Sequence, residues 1–275
     1  MKRLNPPDIR LTLLQLHYLE GEQAAAQAAI QALEGTGLTV QSLNVQQAYA
    51  FAVGKFRSGE ALQAKADEAA RRQNLGPAAL SMKLRSAAWK ANAGLCSDVE
   101  ATVTPELVKA DVGGAPEAIA ALATCGGAAR AQRLADGLVK LGTTGQVWES
   151  AQLPLIRARM FLAQGKPAEA IAALEPARMF DRASTGVVLA RGEAYLMSNK
   201  AAEAAAEFRK ILDVKANLLT SAYNAGQVGL ARALAASGDT AGARKAYETF
   251  FDLWKSADPG IPLLLAAQKE YAALR

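Results

Sequence analysis

The sequence predicts an all-α fold, an α-solenoid of about seven helical hairpins in a row closed by a C-terminal capping helix. Three observations predict it. Residues that tolerate a left-handed turn recur every 32 to 39 positions. A small residue follows most of them at a spacing of five. No stretch shows the strict apolar–polar alternation of a half-buried strand. Half of the 275 residues are apolar (51%) but only 6% are aromatic. That balance suits many close helix–helix contacts better than one thick core.

The turn residues are Gly21, Gly59, Gly94, Gly126, Gly165, Asn199 and Gly238. Glycine enters the left-handed region freely and asparagine tolerably, so either ends a helix. Five residues on come Ala26, Ala64, Val99, Ala131, Ala170, Ala204 and Ala243, where the second helix of each hairpin presses on the first. Four further on, Ile30, Val103, Leu174, Phe208 and Tyr247 are larger and apolar. Leu33, Leu138, Ile211 and Phe250 come three later, which places the set on one helical stripe. Seven residues before the turn, Ala52, Ala87, Ala158, Gly192 and Ala231 supply a small side chain on the first helix.

These spacings map hairpins near 8–34, 40–73, 76–109, 115–141, 147–178, 183–214 and 221–256. Pro7, Pro116 and Pro167 fall near helix starts, where a missing N–H costs nothing. Asp258-Pro259 breaks the last hairpin, and 261–275 forms the amphipathic helix expected to cover the end of the stack. No low-complexity linker divides the chain, so 1–275 reads as one continuous domain. Trp89, Trp148 and Trp254 read as packing residues between hairpins.

Arg191 to Asn199 reads R-G-E-A-Y-L-M-S-N, which resembles the L-G-x-x-Y pattern of tetratricopeptide repeats. Three longer segments carry a narrower resemblance. They are L-P-L-I-R-A-R at 153–159, G-E-A-Y-L-M-S-N-K-A-A-E-A-A-A-E-F-R-K-I-L-D at 192–213, and the stretch from Val228 to Leu274. They resemble the C-terminal tetratricopeptide region of large bacterial proteins in which that region follows a serine/threonine kinase domain or a winged-helix DNA-binding domain. The resemblance covers roughly residues 8–275 and is most specific in the last 60 or so. It implies a non-catalytic scaffold that binds a protein or peptide, as the sensor or docking part of a signalling protein.

Kinase chemistry itself has no residues here. The chain lacks H-R-D and D-F-G, and its one histidine, His17, is followed by Tyr18. A single histidine also removes most Ser-His-Asp and Cys-His schemes. Gly54-Lys55-Phe56 and Gly165-Lys166-Pro167 are not phosphate loops, and Gly35-Thr36-Gly37 lacks the third glycine of a dinucleotide site. His17, Cys96 and Cys125 are not spaced for zinc. The reading is therefore no enzyme, no cofactor and no metal.

The partner reading rests on projection. First helices line the concave face of such a solenoid, which puts Gln15, Tyr18, Val53, Arg159, Leu162, Glu193 and Arg232 there. Their mixture suits an extended peptide or helix held by apolar contact and a few charges. The alternative is nucleic acid, through Arg71, Arg72, Lys83, Arg85 and Lys90. A net charge of +5 spread along the chain argues for a solvated surface instead. No apolar run is long enough to span a membrane. The opening Met-Lys-Arg imitates a signal peptide, but Asp8, Gln15 and His17 break the apolar stretch that such a peptide needs.

Cys96 opens one second helix and Cys125 closes the next first helix, 29 positions on. In a stack these helices are antiparallel neighbours at a reach that permits a disulfide, and two buried thiols are the other outcome. A disulfide places the chain in an oxidising compartment, in keeping with the kinase-linked resemblance, whose repeat region is expected outside the inner membrane. Free thiols would fit the cytoplasm.

Overall fold

The computed structural model describes residues 7–142 and 145–274, and every regular element among them is helical. Helices α1 (Pro7–Glu20) and α2 (Gln23–Leu33) form the first hairpin, α3 (Thr39–Ala52) and α4 (Phe56–Gln73) the second. The third pairs α5 (Gly76–Asn92) with two short helices, α6 (Cys96–Thr102) and α7 (Pro105–Ala110). Then come α8 (Ala115–Thr124) with α9 (Ala128–Lys140), and α10 (Leu153–Ala163) with α11 (Pro167–Ala173). Helices α12 (Thr185–Met197) and α13 (Ala201–Leu212) precede α14 (Ala222–Ala236) and α15 (Thr240–Leu253). Helix α16 (Pro262–Ala273) ends the row.

One turn makes every hairpin. Gly21, Gly54, Gly94, Gly126, Gly165, Asn199 and Gly238 all sit in the left-handed region, with φ from 57° to 85°. After each, the next residue donates its N–H to the carbonyl five back, as Glu22 does to His17 and Lys200 to Tyr195. Those seven bonds measure 2.8–3.0 Å. This bond satisfies a carbonyl that the helix end would otherwise orphan. The second turn is Gly54, where the spacing points to Gly59. Gly59 lies five beyond it, inside α4, and occupies the small position: a Cβ there would collide with the Phe51 ring. The two glycines are five apart, so each satisfies the rule in a different role. With the register corrected, Ala26, Gly59, Val99, Ala131, Ala170, Ala204 and Ala243 are all buried. Ala64 is exposed, and the place seven before the turn passes from Ala52 to Gln47.

Close approach at these sites buries large rings. Phe208 of α13 lies between Gly192 of α12 and Gly229 of α14, and a Cβ on either glycine would stand 2.6 Å from it. Three helices thus share one aromatic side chain. Prolines explain where the observed helices are shorter than the spacing predicts. The helix expected over 97–109 breaks because Pro105 lacks an N–H, and Thr104 Oγ1 starts α7 by accepting from the Leu107 N–H at 3.2 Å. Pro176 converts the end of the helix expected to 178 into a 3₁₀ turn, Glu175–Phe180. A π-helical turn, Trp148–Gln152, precedes Pro154 in the helix expected from 147.

The row closes on itself. The first helices touch in the order α3, α5, α8, α10, α12, α14, and α14 returns to α5. A 3₁₀ turn, Lys215–Leu219, meets α3 and α1. The segment after α15 then docks on the ends of α3 and α5. The Trp254 indole N–H donates to Ala52 O at 3.0 Å, and Leu263 N–H to Ala93 O at 3.1 Å. Asp258 N–H donates to Gly54 O at 3.0 Å, while its carboxylate accepts the Arg57 N–H at 2.7 Å. Helix α4 has no side-chain cap from its own Lys55, so Asp258 caps it across 201 positions of sequence. Phe51, Phe56, Trp89, Phe250 and Trp254 form one buried aromatic cluster across this junction. Helix α16, expected to cover the stack's end, packs on α15 through Tyr271 and also reaches the turn after α5, with Pro262 against Gly94.

Alanine at Gly21 and Gly54 tests this closure. Both are left-handed, but a Cβ at Gly21 meets nothing, whereas one at Gly54 would lie 2.5 Å from Ala257 Cβ and 2.9 Å from Trp254. Gly21→Ala is expected to cost about 1–2 kcal/mol in urea unfolding, and Gly54→Ala about 1–3 kcal/mol more. Equal costs would mean that the junction is open in solution.

Candidate partner-binding surfaces

The residues projected onto the inner face divide into two groups. Arg159 of α10 is buried and ion-pairs with Glu193 of α12. Arg232 of α14 holds Glu270 of α16 through two hydrogen bonds of 2.9 Å each, and the Tyr247 hydroxyl donates to the same carboxylate at 2.6 Å. Burial works against the Arg232 charge, but Glu270 outweighs it, with Tyr247 and Glu193 adding to the effect, and keeps the guanidinium charged. Arg159, Glu193 and Arg232 therefore belong to one ladder of alternating charge. Tyr18 of α1 stacks on Tyr49 with ring centroids 4.0 Å apart, and burial together with Tyr49 pushes its phenol up to about 12. Val53 and Leu162 are half-buried, and Gln15 is exposed on α1. The structure does not bring Gln15 or Tyr18 to the charge ladder.

A second charge cluster left no mark in the residue spacings. Arg191, one residue before Gly192, is fully buried. Its Nη2 donates to Asp181 Oδ1 at 2.6 Å and to Glu207 Oε2 at 2.8 Å. Lys210 Nζ bridges the same two carboxylates at 3.0 and 2.9 Å. Burial would push the Asp181 carboxyl up, but the hydrogen bonds from Arg191 and Lys210 outweigh it and hold it below the ordinary range. Glu270 behaves likewise, with Arg232 and Tyr247 as donors. The sequence cue was the place of Arg191 on the packed side of its helix, beside a glycine that permits close approach.

Cys96 and Cys125 are joined in a disulfide with Cα atoms 5.3 Å apart. It ties the start of α6 to the end of α8. His17 Nδ1 lies 2.7 Å from Glu22 Oε2. Among the described residues no group of three or more His, Cys, Asp or Glu could hold a metal ion. No helix among them is long and apolar enough to cross a membrane. Of the basic positions considered for nucleic acid, Lys90 is buried against Glu60 and Arg72 pairs with Glu68. Arg71, Lys83 and Arg85 are exposed.

Three cavities bear on binding. The inner cleft between α5, α8, α10 and α12, lined by Asn92, Glu117, Thr124 and Arg159, has a volume of only about 30 Å³. A cleft of about 400 Å³ at the starts of α8 and α10 carries Ser81, Arg85, Glu117, Gln152 and Ser184. A groove of about 400 Å³ lies between α7 and α9 on the outer side. No family model matches the sequence, and no curated protein or solved structure is significantly similar to it.

Removing Arg191 leaves the buried Glu207 with Lys210 as its one remaining cation. With Lys210 still paired to Glu207, Arg191→Met is expected to cost about 1–3 kcal/mol in urea unfolding at pH 7, and adding Glu207→Leu should restore part of it. Because the folded-state values of Asp181 and Glu270 are depressed, their contribution is complete above the ordinary carboxylate range. It is lost as the pH falls through their lowered folded-state values. The stability of Asp181→Asn should therefore decline less steeply than that of the parent below about pH 4. For the disulfide, titration in denaturant without reductant should find no reactive thiol. Cys96→Ser should lose about 3–4 kcal/mol, the amount expected for a closed loop of this length.

Proposed function

We propose that this chain is a non-catalytic scaffold that binds a protein or peptide partner, with hairpins of tetratricopeptide type and a docking or sensing role in a larger bacterial signalling protein. The observation that carries the reading is the sevenfold recurrence of one turn with a buried residue five positions later. A unit repeated in this way builds extended surface, and helical repeat proteins use such surface for recognition. The resemblance to tetratricopeptide regions at 153–159, 192–213 and 228–274 supports the same reading.

The arrangement of charge favours partner contact away from the inner cleft. Arg159, Glu193 and Arg232 are engaged with one another or with Glu270, and the cleft beside Arg159 is too small for a peptide. The purified chain, immobilised without reductant, should enrich one protein from the source organism's soluble or envelope fraction, saturably and reversibly. If the concave face is used, Gln15→Glu with Leu162→Asp should weaken that complex at least tenfold, about 1.4 kcal/mol. An unchanged affinity removes the concave face, and a folded bait that captures nothing saturably counts against the scaffold reading.

A further inference from the structure

The outer groove between α7 and α9 has the features of an unfilled docking site. Val108, Leu134 and Leu138 form its buried floor, and Leu141 stands at one end with 56% of its surface exposed. Pro105 and Gly137 complete the apolar walls. Gly137 is the informative residue. It lies inside α9, outside the left-handed region, and a Cβ there would meet nothing within 4 Å. Neither backbone geometry nor packing within the chain requires glycine at this place. Glycine costs about 1 kcal/mol relative to alanine in a helix interior. The missing side chain keeps the groove deep.

The rim is positive. Lys109, Arg130 and Arg133 line it, and no acidic residue does. Arg130 donates to Glu100 O at 3.1 Å and to Val103 O at 2.7 Å. Those bonds fix the guanidinium without neutralising it. Lys109 and Arg133 make no ion pair among the described residues. The carboxylate beside the rim is Glu106. Its own helix-end N–H and Thr104 hold it ionised, and Lys109 and Arg130 add to the effect. It offsets the rim charge only in part.

We propose that this groove docks an acidic amphipathic segment of a partner protein, whose apolar side chains enter over Gly137 while its carboxylates meet Lys109, Arg130 and Arg133. The proposal rests on the scaffold reading and names the partner's chemistry. A volume of about 400 Å³, open along one side, suits a few side chains of a helix laid in a groove.

The test uses the full, oxidised chain and a displayed library of random peptides of about 16 residues, long enough for a helix of four turns, with binding of enriched peptides measured by fluorescence anisotropy. Enriched peptides should carry Asp and Glu around Leu, Ile or Phe spaced three or four apart, and should bind more weakly as salt rises. Gly137→Leu fills the groove and is helix-favouring, so it should keep the fold by circular dichroism and lose at least tenfold in affinity. Lys109→Glu with Arg133→Glu should lose as much. Peptides that bind all variants equally, basic peptides, or no enrichment overturn the proposal. Two other results also overturn it. One is sedimentation with phosphatidylglycerol vesicles that Arg133→Glu abolishes, which assigns the groove to a membrane surface. The other is self-association that Gly137→Leu abolishes, which assigns it to a second copy. A natural partner captured equally by the parent and by Gly137→Leu removes the groove while leaving the scaffold reading intact.

Discussion

Residues 254–263 take up carbonyls that the ends of α3 and α5 leave unpaired, and this return governs the shape of everything between. A helix presents four such carbonyls at its C-terminus. Here Ala52, Gly54 and Ala93 find donors in the Trp254 indole and in the backbones of Asp258 and Leu263. A linear array of hairpins leaves an apolar face at each end and needs a cap there. In this chain the last hairpin and the second and third hairpins serve that purpose for each other, burying Phe51, Phe56, Trp89, Phe250 and Trp254 between them.

Closure explains why the cleft beside Arg159 holds so little space. Once α14 returns to α5, the charges the first helices carry are taken up by neighbouring elements, α10 by α12 and α14 by α16. Arg159 faces Glu193, and Arg232 faces Glu270. Such pairs add little net stability relative to apolar residues, since desolvation offsets much of their attraction. Their strength lies in discrimination. A register slip of α12 would leave the buried Arg159 or Arg191 without its carboxylate, which costs far more than a lost apolar contact. The Arg191–Glu207 pair applies the same constraint between α12 and α13.

The hairpins were legible because the turn demands a conformation that few residues accept. Six glycines and one asparagine mark all seven turns. The one register error, Gly59 for Gly54, arose where two glycines obey the same spacing for different reasons: one tolerates the turn, the other clears room for Phe51. The junction was not legible, because backbone carbonyls meeting Trp254, Asp258 and Leu263 leave no periodic trace. The outer groove was hidden in a different way. Thr104-Pro105-Glu106 is a helix-start signal, but the amphipathic period ran through it and suggested one helix over 97–109. Breaking that helix swings α7 across α9 and opens the space above Gly137.

The disulfide bears on both walls of that groove. Cys96 lies at the root of the α6–α7 arm, and Cys125 at the root of α9, so the bond sits where the two walls begin. Helix α7 has only six residues, too few to be stable on its own. Its position depends on burial of Leu107 and Val108, on the Arg130 bonds to Glu100 O and Val103 O, and on the covalent tie upstream. Arg130 therefore holds α6 to α9 with the same guanidinium that charges the groove rim. In the reduced chain that polar link and two buried side chains would carry the register of α7 alone.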